Sequence, residues 1–452
     1  MRTSRLLLSL LIGLLPASSA CRPTGDAPDA VIVIAADQHS AYDRTAQIVG
    51  LVDRIQADAP GVPMAVLLNG DALEDGNAVA RRSAGAIDFA MFAALASRAP
   101  TVVNLGNHEV EFQGLDETIQ RIRQTGADIV TNIGNRATGR PAAPASTVLT
   151  LDRVTAVVAG VATDDIATYR PEVRPSLALV EPAGWASSNL PSILGGAPVS
   201  IVLSHAGVAA DRGILPHLPD GTLMAGGHDH VRFVHRTGRT VYVHSGAWNA
   251  YVTLAWLRRD AAGRVRWDVE QVPVALDGPV DPALAAEIRQ AKLTHLNAED
   301  RAVVAHRAEA LSPPEAALAA VMALRRAAGV DAAFIGNTTF GGGLPAGDVT
   351  RADYDTCVRF DGAIMVAEVS GARLRALLAA ANQGPQTPFE QRTGEFNYAA
   401  GPASVHDAQT YRIATNDWAA TNSGRYFGEP SIAWTRPPGP SLKAAILSGL
   451  AN

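Results

Sequence analysis

From residue 31 onward the chain repeats one pattern. A short apolar run is followed by a polar break, and then by a stretch whose apolar positions recur every three or four residues. The runs are 31–36, 64–68, 101–105, 154–161, 199–203, 223–225 and 240–243. Each is rich in Val, Ile or Leu and bounded by Gly, Asp or Asn, as strands buried on both faces are. Between them, Ile48, Val52 and Ile55 share one helical face, as do Leu115, Ile119 and Ile122, with Gly126 placed to end the second helix. Alternating strands and helices predict an α/β sandwich with helices outside the sheets. The pattern changes near residue 280. Residues 281–306 carry helix formers and few strand signals, and read as a connecting helix. Beyond them, helices over 314–328 and 371–382 and strands over 330–335 and 411–414 predict a second, smaller α/β domain.

Composition narrows the class. Of the 452 residues, 47% are hydrophobic and 18% charged, which excludes a disordered chain and suffices for large cores. With 38 basic and 44 acidic residues the formal charge is -6, unsuited to holding a nucleic-acid polymer by bulk attraction. Two cysteines, Cys21 and Cys357, cannot build a disulfide framework or a thiolate zinc site.

The first twenty residues read as an export signal. Arg2 and Arg5 precede an apolar run from Leu6 to Leu15, and small residues lead to Ala20 and Cys21. The run is too short to span a bilayer. The segment resembles a bacterial lipoprotein signal, with Cys21 as the lipidated first residue of an exported, periplasmic or membrane-anchored chain. Ser18 stands where an apolar residue is usual, and ordinary cleavage leaving Cys21 a free thiol is the alternative.

The chemistry-bearing residues fall at strand ends. The first run leads to Asp37 and His39, the second to Gly70-Asp71, the third to Gly106-Asn107-His108-Glu109, the fifth to His205, and the sixth to Gly227-His228-Asp229-His230. Open α/β sheets bind ligands beyond the carboxyl ends of their strands, so five such ends describe one convergent site. Imidazole and carboxylate donors suit Zn, Mn, Fe or Co. Asp37, His39, Asp71, Asn107, His205, His228 and His230 are too many ligands for one divalent ion and enough for two, with Asp71 the natural bridge.

The order D-x-H, GD, GNHE, a lone His and GH-x-H resembles the calcineurin-like metallophosphoesterases. The resemblance implies a four-layer α/β/β/α sandwich over residues 29–278. It implies one ion on Asp37, His39, Asp71 and His230, and a second on Asp71, Asn107, His205 and His228. It makes His108 a general acid, oriented by Glu111 where an Asp is usual. It leaves Asp229 pointing away.

The remaining chain, a linker over 279–306 and a domain over 307–452, resembles the substrate-binding domain of the 5'-nucleotidases and nucleotide-sugar hydrolases. By that resemblance Asn337 binds substrate, and Phe396 and Tyr426 stack on a base. The Gly-Gly-Ile-Arg run usual after the Asn is here Thr338-Thr339-Phe340-Gly341. The missing Arg leaves Arg307, Arg351 or Arg359 to recognise an anion. The expected function is a secreted dimetal hydrolase of 5'-nucleotides or related phosphate esters. The alternatives are a cyclic-nucleotide, nucleotide-sugar or sulfur-ester hydrolase using the same site, and a non-catalytic ligand-binding lipoprotein.

Overall fold

The computed structural model describes residues 27–428 and 432–450. The leader and Cys21 lie outside them. All seven apolar runs are strands, and they belong to two six-stranded sheets. In the first sheet Ala30–Ala35, Met64–Asn69, Thr101–Asn104 and Asp128–Val130 run parallel. Tyr251–Arg259 and Val265–Pro273 extend it antiparallel beside Ala30–Ala35. In the second, Thr240–Ser245, Leu223–Gly226, Val199–His205 and Val154–Ala162 are parallel. Arg232–Thr237 and Ser146–Leu151 form its antiparallel edges.

The sheets face each other across one apolar layer, in which Ile32, Ile34 and Leu67 meet Val158, Ile201, Leu203 and Val243. Helices Thr45–Asp58, Ala86–Ala96 and Leu115–Gln124 cover the far face of the first sheet. Pro182–Leu194 and Gly207–Ile214 cover the second. This is the four-layer α/β/β/α sandwich. The central strands are apolar at nearly every position because both of their faces are covered.

Two buried asparagines cross the layer at its carboxyl end. Asn69 donates through Nδ2 to the carbonyls of Ser204 and Ala225, at 2.9 and 3.0 Å. Asn104 donates to Oδ1 of Asn69 and to the carbonyl of Val161, both at 2.9 Å. They tie the ends of the first sheet's strands to those of the second.

The second domain is a four-stranded sheet in the order Ile364–Ser370, Thr410–Asn416, Ala332–Gly336, Asn397–Ala400. Helices Pro313–Ala328 and Leu442–Leu450 pack on one face, and Gly371–Ala380 and Ser423–Phe427 on the other. The first of these helices starts at a capping box of Ser312 and Glu315 and ends on left-handed Gly329.

The connecting helix is shorter than expected. It runs Pro282–His295, and Val303–Arg307 is a strand paired with Gly347–Thr350. A reciprocal turn stops the helix: Asn297 N donates to Asp300, and Asp300 N donates back to Asn297 Oδ1. Beyond that turn, β-branched Val303 and Val304 favour the extended strand.

Trp267 shows how far the inter-sheet layer reaches. It is fully buried on the outermost strand, and its indole N–H donates to the carbonyl of Gly221 at 2.9 Å. Trp267→Ala is expected to cost about 3–5 kcal/mol, read as a lowered urea midpoint for the first domain. An unchanged midpoint would mean that the two sheets do not share this core.

Candidate metal centre and substrate cleft

The loops at the strand ends turn sharply. Asp37, His39, Asp71, His228 and His230 all have positive φ, between 47° and 81°. Left-handed backbone at non-glycine residues costs of order 1–3 kcal/mol each and persists only where surrounding contacts impose it. Glycine is required beside them. A Cβ on Gly106 would lie 2.3 Å from Oδ1 of Asp71, and one on Gly227 would lie 2.7 Å from Nδ1 of His205.

Glu109 holds two of these loops together. Its carboxylate accepts the backbone N–H groups of Asp71 at 3.0 Å, Ala72 at 2.7 Å and Gly106 at 2.6 Å. It is the last residue of the Gly-Asn-His-Glu motif, yet its target loop lies far away in sequence.

The structure brings all seven predicted ligands together. The acid and imidazole atoms form three groups: Asp37, His39 and His230; Asp71, His205 and His228; and His39, Asp71 and His108. The side chain of Asn107 joins them through its Oδ1, 3.0 Å from Nδ1 of His228. Nδ1 of His205 meets the carbonyl of Asn69 at 2.8 Å, which places the proton there. Nε2 then faces Asp71 Oδ2 at 3.0 Å and Asp37 Oδ1 at 3.8 Å. That position between an imidazole and two carboxylates suits a cation, a proton or a metal ion alike. The Nε2 atoms of His39 and His230 are 2.8 Å apart. Both rings thus turn Nε2 toward one point beside Asp37.

Burial sets the electrostatics. It pushes the Asp37 carboxyl up to about 8, with His205 opposing. It lowers His39 to about 4, helped by the Arg359 guanidinium, and His228 to about 3, helped by His205. At His205 burial is outweighed by Asp71 and Asp37, and the group rises to about 10. Burial would raise Asp71, but His205 holds it well below the usual carboxylate range. The neutral imidazoles of His39 and His228 beside an ionised Asp71 are a donor set that fits divalent cations.

His108 lies at the edge of the cluster. Its backbone N–H donates to Asp71 Oδ1 at 2.8 Å, and its Nδ1 is 2.6 Å from Oε1 of Glu111. Burial would lower it, but Asp71 and Glu111 prevail and raise it to about 9. Asp229 turns away, its Oδ2 accepting from Val208 N at 2.6 Å.

A cleft of about 820 Å³ opens from Asp71, Asn107, His108, His228 and His230 toward the second domain. Its lining also includes Phe360 and Trp418, which are 46% and 41% exposed although both are large aromatics. Asp417 joins the loop of Phe360 to the start of the helix Asp417–Thr421 that carries Trp418. Its carboxylate accepts from Ala363 N and from Trp418 N, each at 2.9 Å.

Asn337, Phe396 and Tyr426 do not line this cleft. Asn337 is a bracket between the domains, donating through Nδ2 to the carbonyl of Asp229 at 2.7 Å and accepting from Phe396 N at 2.9 Å. Phe396 packs into the apolar cluster around Val208 and Met224 of the first domain. Tyr426 fills the space beneath Gly336, where a Cβ would come within 2.7 Å of its ring. Each is buried because it completes a packing contact. Trp418 comes from the same segment as Tyr426. Trp418 lies at the start of the helix Asp417–Thr421, and Tyr426 lies on the buried face of the helix Ser423–Phe427 that follows.

Residues 30–232 match the family model of the calcineurin-like phosphoesterases, and residues 298–404 match that of the 5'-nucleotidase C-terminal domain. The chain is a calcineurin-like metallophosphoesterase with a 5'-nucleotidase-type C-terminal domain. Metallophosphoesterases of this kind are metal-dependent phosphoester hydrolases. Solved structures share the whole architecture. A 5'-nucleotidase precursor from Thermus thermophilus is 18% identical, with a TM-score of 0.61, covering 93% of this chain and 96% of its own. The sulfate thiohydrolase SoxB of the same organism is 15% identical, with a TM-score of 0.64, covering 94% of each chain. A 5'-nucleotidase from Candida albicans is 12% identical, with a TM-score of 0.61, covering 94% of this chain and 98% of its own. At these identities the likeness establishes the fold. No curated protein matches the sequence.

The Glu109 clamp is the testable element of this metallophosphoesterase site. Glu109→Gln keeps the volume but turns one acceptor into a donor that faces backbone N–H groups. It is expected to cost about 2–3 kcal/mol and to lower metal content, read by thermal denaturation and elemental analysis. Wild-type values in both would remove Glu109 from the account of the site.

Proposed function

We propose that the protein is an exported hydrolase of 5'-nucleotides or related phosphate esters, working with two divalent cations. One observation carries this reading. Residues of the imidazole and carboxylate cluster and two exposed aromatics line one cleft. The first ion is assigned to Asp37, His39, Asp71 and His230, and the second to Asp71, Asn107, His205 and His228. Such a pair supplies Lewis-acid polarisation of the phosphoryl group and activation of water.

The chain's own residues do the rest. His108, oriented by Glu111 at 2.6 Å from its Nδ1, donates its proton to the leaving oxygen. Phe360 and Trp418 offer π faces to a base, each worth about 1–3 kcal/mol where a base stacks fully. They take the role expected of Phe396 and Tyr426. The charged leader of residues 1–20 supports export, and the apolar run up to Cys21 supports either lipid attachment or simple cleavage there. No described helix is long and apolar enough to cross a membrane.

The direct test is hydrolysis of mononucleotides, cyclic nucleotides, nucleotide sugars, sulfur esters and p-nitrophenyl phosphate with Mn²⁺ or Co²⁺, before and after chelation. Turnover of mononucleotides that chelation abolishes is the expected result. Metal-loaded protein that binds nucleotides without cleaving any ester would make it a binding protein. His108→Ala should lower kcat by about 10²–10⁴-fold and leave both ions bound, whereas Asp71→Asn should lose metal and rate together. An ion lost with His108→Ala would make it a ligand. Phe360→Ala and Trp418→Ala should each raise KM for nucleotides while sparing p-nitrophenyl phosphate. Equal effects on both substrates would exclude stacking.

A further inference from the structure

We propose that Glu74 is a positioning residue for His39, and that Arg359 of the second domain locks it there, so that both domains complete one metal position. The inference rests on the dimetal reading above.

His39 is fully buried, and to offer a lone pair at Nε2 it must carry its proton on Nδ1. That nitrogen faces Oε2 of Glu74 at 3.3 Å, with Nη2 of Arg359 3.5 Å away. The guanidinium is committed to that carboxylate, so the carboxylate is the partner left to accept the imidazole proton. A carboxylate behind a ligating imidazole sets its tautomer and orientation and raises its basicity. Glu74 is itself only 2% exposed, and its other oxygen accepts from Gly76 N at 2.8 Å. Its Oε2 also accepts from the guanidinium of Arg359. That side chain is buried too, and donates through Nη1 to the carbonyl of Thr338 at 3.0 Å. It lies 5.2 Å from the ring of Trp248, which stacks on His39 at 4.9 Å. The ion pair and the stacked indole therefore hold the same imidazole.

The charges explain why the two residues occur together. A buried carboxylate without a counter-charge would be driven to neutrality, and a lone guanidinium would repel the cations His39 helps to hold. Paired, they add no net charge to the metal centre. The hydrolytic chemistry uses neither of them. Because Arg359 directly precedes Phe360, the loop that locks His39 also carries an aromatic of the substrate wall.

The test is titration of metal-free protein with Mn²⁺, followed calorimetrically and by elemental analysis after dialysis. Glu74→Gln and Arg359→Met are each expected to weaken one of the two ions by about 10–100-fold while the other keeps its affinity. The double variant should be no weaker than the weaker single, because both act through one contact. It also removes both charges at once, so it remains informative should a single variant, left with one buried charge, fail to fold. Wild-type affinity for both ions in Glu74→Gln, or in the double variant, would overturn the positioning role. Loss confined to Glu74→Gln, with Arg359→Met unchanged, would overturn the lock across the domains. A uniform loss of both ions would indicate general damage and likewise reject the inference. Wild-type protein that takes up no Mn²⁺ would instead overturn the dimetal reading itself.

Discussion

The buried amides of Asn69 and Asn104 set where everything else can be. Each sheet could bury its apolar face in several relative positions, since hydrophobic burial has no preferred direction. The two asparagines remove that freedom. Buried amides must find partners, and these find carbonyls of Ser204, Ala225 and Val161 on the facing sheet. The partners sit at the carboxyl ends of the strands. Slippage between the sheets would strand several polar groups in an apolar layer. The loops that follow the strands are thereby brought to a common point.

That placement is costly. Five predicted ligands adopt left-handed backbone, and buried acids stand beside imidazoles that cannot all take their preferred charge. The strain is held by contacts outside the cluster, above all by the Glu109 carboxylate gathering three N–H groups from two loops. The electrostatic conflict is of the kind that divalent cations relieve. A chain folded for stability alone would place apolar residues at these strand ends. The site is instead paid for by the large apolar layers on either side of both sheets.

The sheets and the cluster were legible because both obey local rules. An apolar run buried on both faces has few other readings, and Asp or His beside Gly at several strand ends is rare without a ligand. The substrate wall was less legible. Phe396 and Phe360 are both aromatics near a strand, and which one faces the cleft depends on the packing of the first domain against the second. Tyr426 and Trp418 share one segment, and two successive short helices place one ring in the packing and leave the other exposed. The connecting helix was overextended because helix formers continue through Ala302, while the side-chain turn of Asn297 and Asp300 halts it. Glu109 carried a motif position but no hint of its partners. Glu74 carried neither, because it acts only through contacts between distant segments.

Arg359 bears on the departure in the second domain. The run after Asn337 lacks a basic residue, so recognition of an anion must come from elsewhere. Of Arg307, Arg351 and Arg359, only Arg359 lines the cleft, and its guanidinium is already committed to Glu74. A fork bound to a buried carboxylate is not free to take a phosphate without leaving that carboxylate unpaired, which is expensive. The other cations of the cleft are Arg81, Arg170, Arg174 and Lys443. None of them lies in the run after Asn337, so the positive charge of this cleft comes from positions away from that run.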